Sequence, residues 1–321
     1  MKEKKFKLLE FKEIEKEEDT TPNIKYYFKS LWRKFPRLLS INLIMLFQII
    51  PILIAFYAYT ALMPRISVFS DPLYPVIYGI NTVSGSPITS TLLNIYGVSI
   101  DLPTIAFGGA AIIIAVCALF LFITFGWQNV GATYLTRELV RGRPVFIISD
   151  YFYAVKRNLK QGFLFGALDF LISAVLVFDF VYFYNQSGNF MLDLMFWGIC
   201  GVSVIYIFMR FYMYLMLINF DLSIKKIFKN ALIFTALGLK RNLLAALWIV
   251  IVAVINIALI FVLLPANIIV PIVLPLVYFA AFALFTTTYA AYPVIKKYMI
   301  DPYYDEDGNP RSPENTEETA S

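Results

Sequence analysis

The chain has 321 residues, 60% of them hydrophobic and 15% charged, with a mean hydropathy of +0.71 and a net charge of +5. A soluble protein of this length could not bury that much apolar surface, whereas a bilayer absorbs it in spans of about 20 residues. Histidine is absent, which removes the commonest general base and metal ligand and argues against hydrolases and metalloenzymes; the basic residues flank apolar runs, as membrane-facing charge and not as a nucleic-acid surface.

Residues 1–20 mix Lys and Glu with little to bury and read as a charged cytosolic tail. No cleavable signal peptide fits this charged start, so the first span is expected to act as its own insertion signal. Thr21 and Pro22 suit an N-cap and a first helical turn. Residues 21–39 then read as an amphipathic interfacial helix, with Tyr27, Phe28, Leu31, Trp32 and Phe35 among Lys29, Arg33, Lys34 and Arg37.

Apolar runs follow at 40–62, 104–127, 162–184, 192–220, 243–264 and 271–295. They predict an all-α membrane protein with six transmembrane helices between residues 40 and 300. Pro51 is expected to kink the first span, and the fourth is long enough to tilt or project. Residues 63–103 form the one sizeable outer loop, rich in proline and too apolar for a free tail, suited to a recognition lid or a cap. Residues 301–321 are acidic and read as a disordered cytosolic tail. Cys117 and Cys200 fall inside apolar runs and read as packing residues.

Every Lys and Arg except Arg65 and Arg210 lies in a tail or in a connection on one side of this arrangement. Basic loops resist translocation, so this side is the cytosol. The expectation is a multi-pass protein of a bacterial plasma membrane with both termini cytosolic, resting on anionic headgroups.

Lys156-Arg157-Asn158-Leu159 recurs as Lys240-Arg241-Asn242-Leu243, each at the mouth of an apolar run. Short amphipathic stretches precede both copies, Ile147–Val155 and Leu222–Leu239, and Arg33–Leu38 is a looser third version. The pattern suggests three units, each an interfacial elbow helix leading into a transmembrane hairpin. Lys156, Arg157, Lys160, Lys240 and Arg241 are the basic elbow residues that would face partners or headgroups.

Charges inside a bilayer are costly and are candidates for function. At 1.5 Å per residue, Asp169 sits about 10 Å into the third span and Arg210 about 15 Å from the end of the fourth. An antiparallel hairpin brings them to similar depth as an ion pair, which would lock the hairpin or serve a substrate or proton site. Asp179, Asp193, Tyr182 and Trp197 gather at the outer end, where they could bind a cation or sugar hydroxyls, or be ordinary interfacial residues. Gly162-x-x-x-Gly166 permits close helix approach. No phosphate-binding loop, nucleophile–base pair or metal-ligand cluster is present in the sequence, and no cofactor is expected.

The run Gly131-Ala132-Thr133-Tyr134-Leu135-Thr136-Arg137, with Ser149-Asp150-Tyr151-Phe152 and Lys156-Arg157-Asn158-Leu159-Lys160-Gln161, resembles the YesL-like family of bacterial membrane proteins. Phe178-Asp179-Phe180 and Asn219-Phe220-Asp221-Leu222-Ser223 are similar to its span end and its second elbow. The resemblance runs from about Arg33 to Lys297. It supplies no catalytic residues, and it implies a place beside carbohydrate-uptake systems. Two readings follow: a non-enzymatic accessory partner of carbohydrate transporter subunits, or a small-solute or ion transporter using Asp169 and Arg210. No nucleic-acid partner is expected.

Overall fold

The computed structural model describes residues 23–63, 65–69, 73–96, 99–103, 108–186, 190–266, 268 and 270–302. The N-terminal tail, the Thr21–Pro22 cap and nearly all of the C-terminal tail lie outside them. Among the described residues, six helices are long and apolar enough to cross a membrane. They are α1 (Ile24–Tyr57, continued by a π turn to Leu62), α4 (Gly109–Val140), α6 (Leu159–Asn185), α7 (Phe190–Asn219), α9 (Leu239–Leu263) and α10 (Val270–Ile295). Two amphipathic elbow helices, α5 (Ile147–Arg157) and α8 (Ile224–Leu237), precede α6 and α9. Apart from one short two-stranded ribbon, the protein is an all-α membrane protein.

The chain divides into two compact units, one of Ile49–Leu121 and one of the remainder. In the smaller unit, β1 (Arg65–Phe69) pairs antiparallel with β2 (Ser99–Pro103), Arg65 opposite Pro103 and Phe69 opposite Ser99. Between the strands lie α2 (Tyr74–Ser84) and α3 (Pro87–Tyr96). The described residues of the 63–103 segment therefore form a two-stranded ribbon and a helix pair. Two of its prolines start helices, Pro75 in the first turn of α2 and Pro87 at the head of α3, where a missing N–H costs nothing. Thr89 Oγ1 donates to Asn81 Oδ1 at 2.6 Å and ties the two helices together.

From Ile24 on, the expected helix over 21–39 and the expected span over 40–62 are one continuous helix, whose turns up to Gln48 belong to the larger unit. Tyr27, Ser30, Lys34, Leu38 and Ile41 are all buried, a stripe at helical spacing that crosses the expected boundary. The stripe packs on Leu135, Leu139, Ala281 and Phe285, so the N-terminal turns of α1 are held against α4 and α10. Lys34 Nζ donates to the Leu139 carbonyl, and Asn42 Nδ2 to that of Leu276 at 2.6 Å. α4 likewise continues 13 residues past the expected end at Trp127, because Gln128, Thr136, Arg137 and Glu138 are buried there and not solvated.

The centre of this unit is the C-terminal half of α7, where Tyr212 through Ile218 are buried without a break. A helix buried on every side stands inside a bundle, here among α6, α8 and α10. The two Lys-Arg-Asn-Leu copies meet this centre one helical turn out of step. Lys156 and Arg157 close α5 and Asn158 is the junction, whereas the second junction is Gly238 and Lys240–Asn242 belong to the first turn of α9. A Cβ on Gly238 would collide with the Tyr212 hydroxyl, which explains a glycine there. That hydroxyl donates to Asn242 Oδ1 at 2.8 Å, so the second Asn serves the core, while Asn158 Nδ2 bonds its own helix at the Ala154 carbonyl, 2.9 Å away.

Candidate functional site

Asp169, in the third turn of α6, has no solvent exposure at all. Its Oδ1 accepts from the Tyr206 hydroxyl at 2.6 Å and its Oδ2 from the Tyr214 hydroxyl at 2.7 Å. Arg210 Nη2 stands 3.1 Å from Oδ2. The three partners are spaced by four residues along α7, so one helical stripe delivers all of them to a single carboxylate. Charge-assisted bonds to both oxygens offset the desolvation that would otherwise expel a carboxylate from this depth. Phe165 packs edge-on to Tyr214 with centroids 5.2 Å apart, which holds that tyrosine in place. Sequence reading paired Asp169 with Arg210 by depth but missed the tyrosines; their i ± 4 spacing about Arg210 was the available signal.

Arg210 is less completely engaged than its partner. Its guanidinium lies 5.4 Å from the Phe125 ring centre, a cation–π contact, and meets Asp169 through Nη2. Nε is buried and has no hydrogen-bond partner among the described residues. Next to it opens a cavity of about 190 Å³ between α4, α7 and α10, lined by Asn129, Thr133, Arg210, Tyr214, Thr287, Thr288 and four apolar residues. Asp169 does not line it.

A second polar cluster lies at the end of α4 that carries the basic residues. Arg137 donates from Nε to Glu138 Oε1 at 2.8 Å and from Nη1 to Asn219 Oδ1 at 2.6 Å. Arg141 and Arg143 each stand 3.6 Å from the Glu138 carboxylate. Around it Arg157 Nη2 caps the Ile218 carbonyl at 3.0 Å and Gln161 Nε2 the Leu222 carbonyl at 2.6 Å. The Arg157 cation on the Ile218 carbonyl, in the last turn of α7, complements that helix's dipole. Arg157, read from sequence as an elbow residue, is therefore spent partly within the fold. Lys156, Lys160 and Lys240 are exposed, and Arg241 is half-buried. Hydropathy gave Glu138 no prominence; a lone acid among three arginines was the clue.

The elbow α5 is seated through Tyr151, whose hydroxyl donates to Gln128 Oε1 at 2.7 Å while Gln128 Nε2 donates to the Ile44 carbonyl at 2.9 Å. Burial pushes the Tyr151 hydroxyl up to about 12. The outer candidates do not converge. Tyr182 stacks on Phe178 and Trp197 leans on Phe196, each within its own helix. Asp179 and Asp193 are half-buried, and among the described residues no hydrogen bond or ion pair joins these four. No three of Cys, Asp and Glu stand close enough to hold a metal ion among the described residues.

A larger apolar cavity, about 310 Å³, lies between the starts of α1 and α9 and the end of α10, against Tyr27, Phe28, Trp248, Thr286 and Tyr289. Trp248 Nε1 lies beside the Tyr27 hydroxyl but outside hydrogen-bonding geometry. Comparison of the chain with protein-family models, with curated proteins and with solved structures gives no match.

Proposed function

We propose that the protein is a non-enzymatic accessory subunit of a bacterial plasma membrane, with both termini in the cytosol, that works beside a carbohydrate-uptake transporter. The state of Asp169 supports the accessory role. The deepest carboxylate of the bundle is sealed and shared among three side chains of the same hairpin. A carrier of ions or protons needs an acid that its cargo can reach, and an assembled clamp is what a scaffold needs. The exposed Lys156, Lys160 and Lys240 on the elbows leave a cationic cytosolic rim for acidic partner segments and anionic headgroups. The carbohydrate assignment rests on the resemblance of the 131–161 motif to YesL-like proteins.

Affinity capture from native membranes in mild detergent, after growth on an inducing sugar, tests the reading. Subunits of a sugar permease are expected in the eluate, and are expected to be lost when Lys156, Lys160 and Lys240 are all changed to Glu. Recovery of no transporter subunit from sugar-grown cells overturns it.

A further inference from the structure

The cavity beside Arg210 is walled in part by two partners of Asp169, Arg210 and Tyr214, but Asp169 itself does not reach it. A guanidinium carries five N–H donors, and among the described residues Arg210 meets an acceptor only through Nη2. Unmet donors inside a bilayer cost several kcal/mol each, so the cavity calls for an occupant that accepts hydrogen bonds. The other walls call for donors. Asn129 spends its Nδ2 on the Phe125 carbonyl at 2.8 Å, leaving Oδ1 without a partner among the described residues. The Thr133 side chain makes no hydrogen bond among them, and Thr287 Oγ1 donates to the Leu284 carbonyl at 3.0 Å with its lone pairs free.

Charge narrows the occupant further. Asp169 already neutralises Arg210, so an anion entering here would bring an uncompensated charge to mid-span. The volume, about 190 Å³, is that of about six waters at ~30 Å³ each. We infer that this cavity is a binding site for a small neutral solute carrying several hydroxyl or amide groups, with Arg210 donating to it and Asn129 and Thr133 accepting from it. The site is independent of the partner reading: failure of capture would leave it standing, and an empty cavity would leave the scaffold role standing.

The test uses the full chain in lipid nanodiscs and saturation-transfer NMR with erythritol, glucose and acetamide as neutral probes, and acetate and sulfate as anionic ones. Saturable binding of at least one neutral probe is expected. Asn129→Ala and, separately, Thr133→Val should weaken it about tenfold, the worth of one hydrogen bond in a buried site. Asp179→Asn, on an outer carboxylate remote in sequence from the site, should leave it unchanged. Either cavity variant suffices provided that it melts as wild type does, and Thr287→Val replaces any that does not. Saturable binding of acetate or sulfate alone, no saturable binding of any probe, or binding indifferent to the cavity variants would each overturn the assignment, the second of these meaning a cavity filled only by water.

Discussion

The hairpin of α6 and α7 and the hairpin of α9 and α10 are both closed by a tyrosine on a polar side chain inside the bilayer, yet one clamp is ionic and the other neutral. In the second, Asn256 Nδ2 bonds the Tyr278 hydroxyl at 2.6 Å and the Val252 carbonyl of its own helix at 2.7 Å. That contact uses both donors of one amide. In the first, a carboxylate is held by two tyrosines and an arginine, and the arginine is left with a buried Nε that the hairpin does not meet. A neutral clamp closes on itself. An ionic clamp passes part of its demand to its surroundings, and the polar cavity stands where that demand falls.

The sharpest way to break this contrast is Asp169→Asn. It strands the Arg210 guanidinium and is expected to cost about 3–5 kcal/mol, seen as loss of assembled protein and a lower melting midpoint in detergent. Replacing both partners by apolar groups, Asp169→Leu with Arg210→Met, should recover most of that loss. A double variant no better than the single would mean that the charge is not the source of the cost. Next in size is Gly166→Ala. Its new Cβ would land on the Gly126 backbone and force α4 and α6 apart, at about 1–3 kcal/mol by the cost of overpacking. An unchanged midpoint would show that the two helices separate freely.

The neutral clamp should be weaker. Asn256→Leu is expected to cost about 0.6 kcal/mol, the usual worth of a hydrogen bond between transmembrane helices, and a loss as large as that of Asp169→Asn would erase the distinction drawn here. Smallest is a pH effect at the elbow. Burial raises the Tyr151 hydroxyl from 10.0 to about 12, so the folded protein keeps that proton more tightly than the unfolded chain does. The stability linked to it is full below pH 10 and is lost as pH rises toward about 12. Melting midpoints across that window should fall more steeply for wild type than for Tyr151→Phe.

The six spans were legible because hydropathy and helix length are the same constraint in a bilayer. The helix ends were not. Gln128, Arg137 and Glu138 look like a solvated connection, and only tertiary pairing makes them the inner turns of α4. The same holds for Lys34, a headgroup residue by composition and a buried donor to the Leu139 carbonyl in fact. Depth arithmetic was enough to set Asp169 opposite Arg210. Tyr206 and Tyr214 stayed hidden because aromatic residues are so common in these spans that four-residue spacing carries little information by itself. The repeated Lys-Arg-Asn-Leu was real as a marker of span mouths and misleading as a register, since its two copies sit on opposite sides of a helix junction. The ribbon of β1 and β2 was obscured by the prolines around it.

The contact of Gly126 with Gly162 and Gly166 also bears on descent. A side chain at Gly126 would meet the Gly162 carbonyl, and one at Gly166 the Gly126 backbone, so no single substitution there is accommodated without moving a helix. Lipid-facing positions can exchange one apolar residue for another generation after generation, while Gly126 and Gly166 have no neighbouring neutral step to take. A glycine on one span set against a glycine on the next, Gly126 against Gly166, is thus the mark by which distant relatives of this chain should still be recognised after the rest of the surface has drifted.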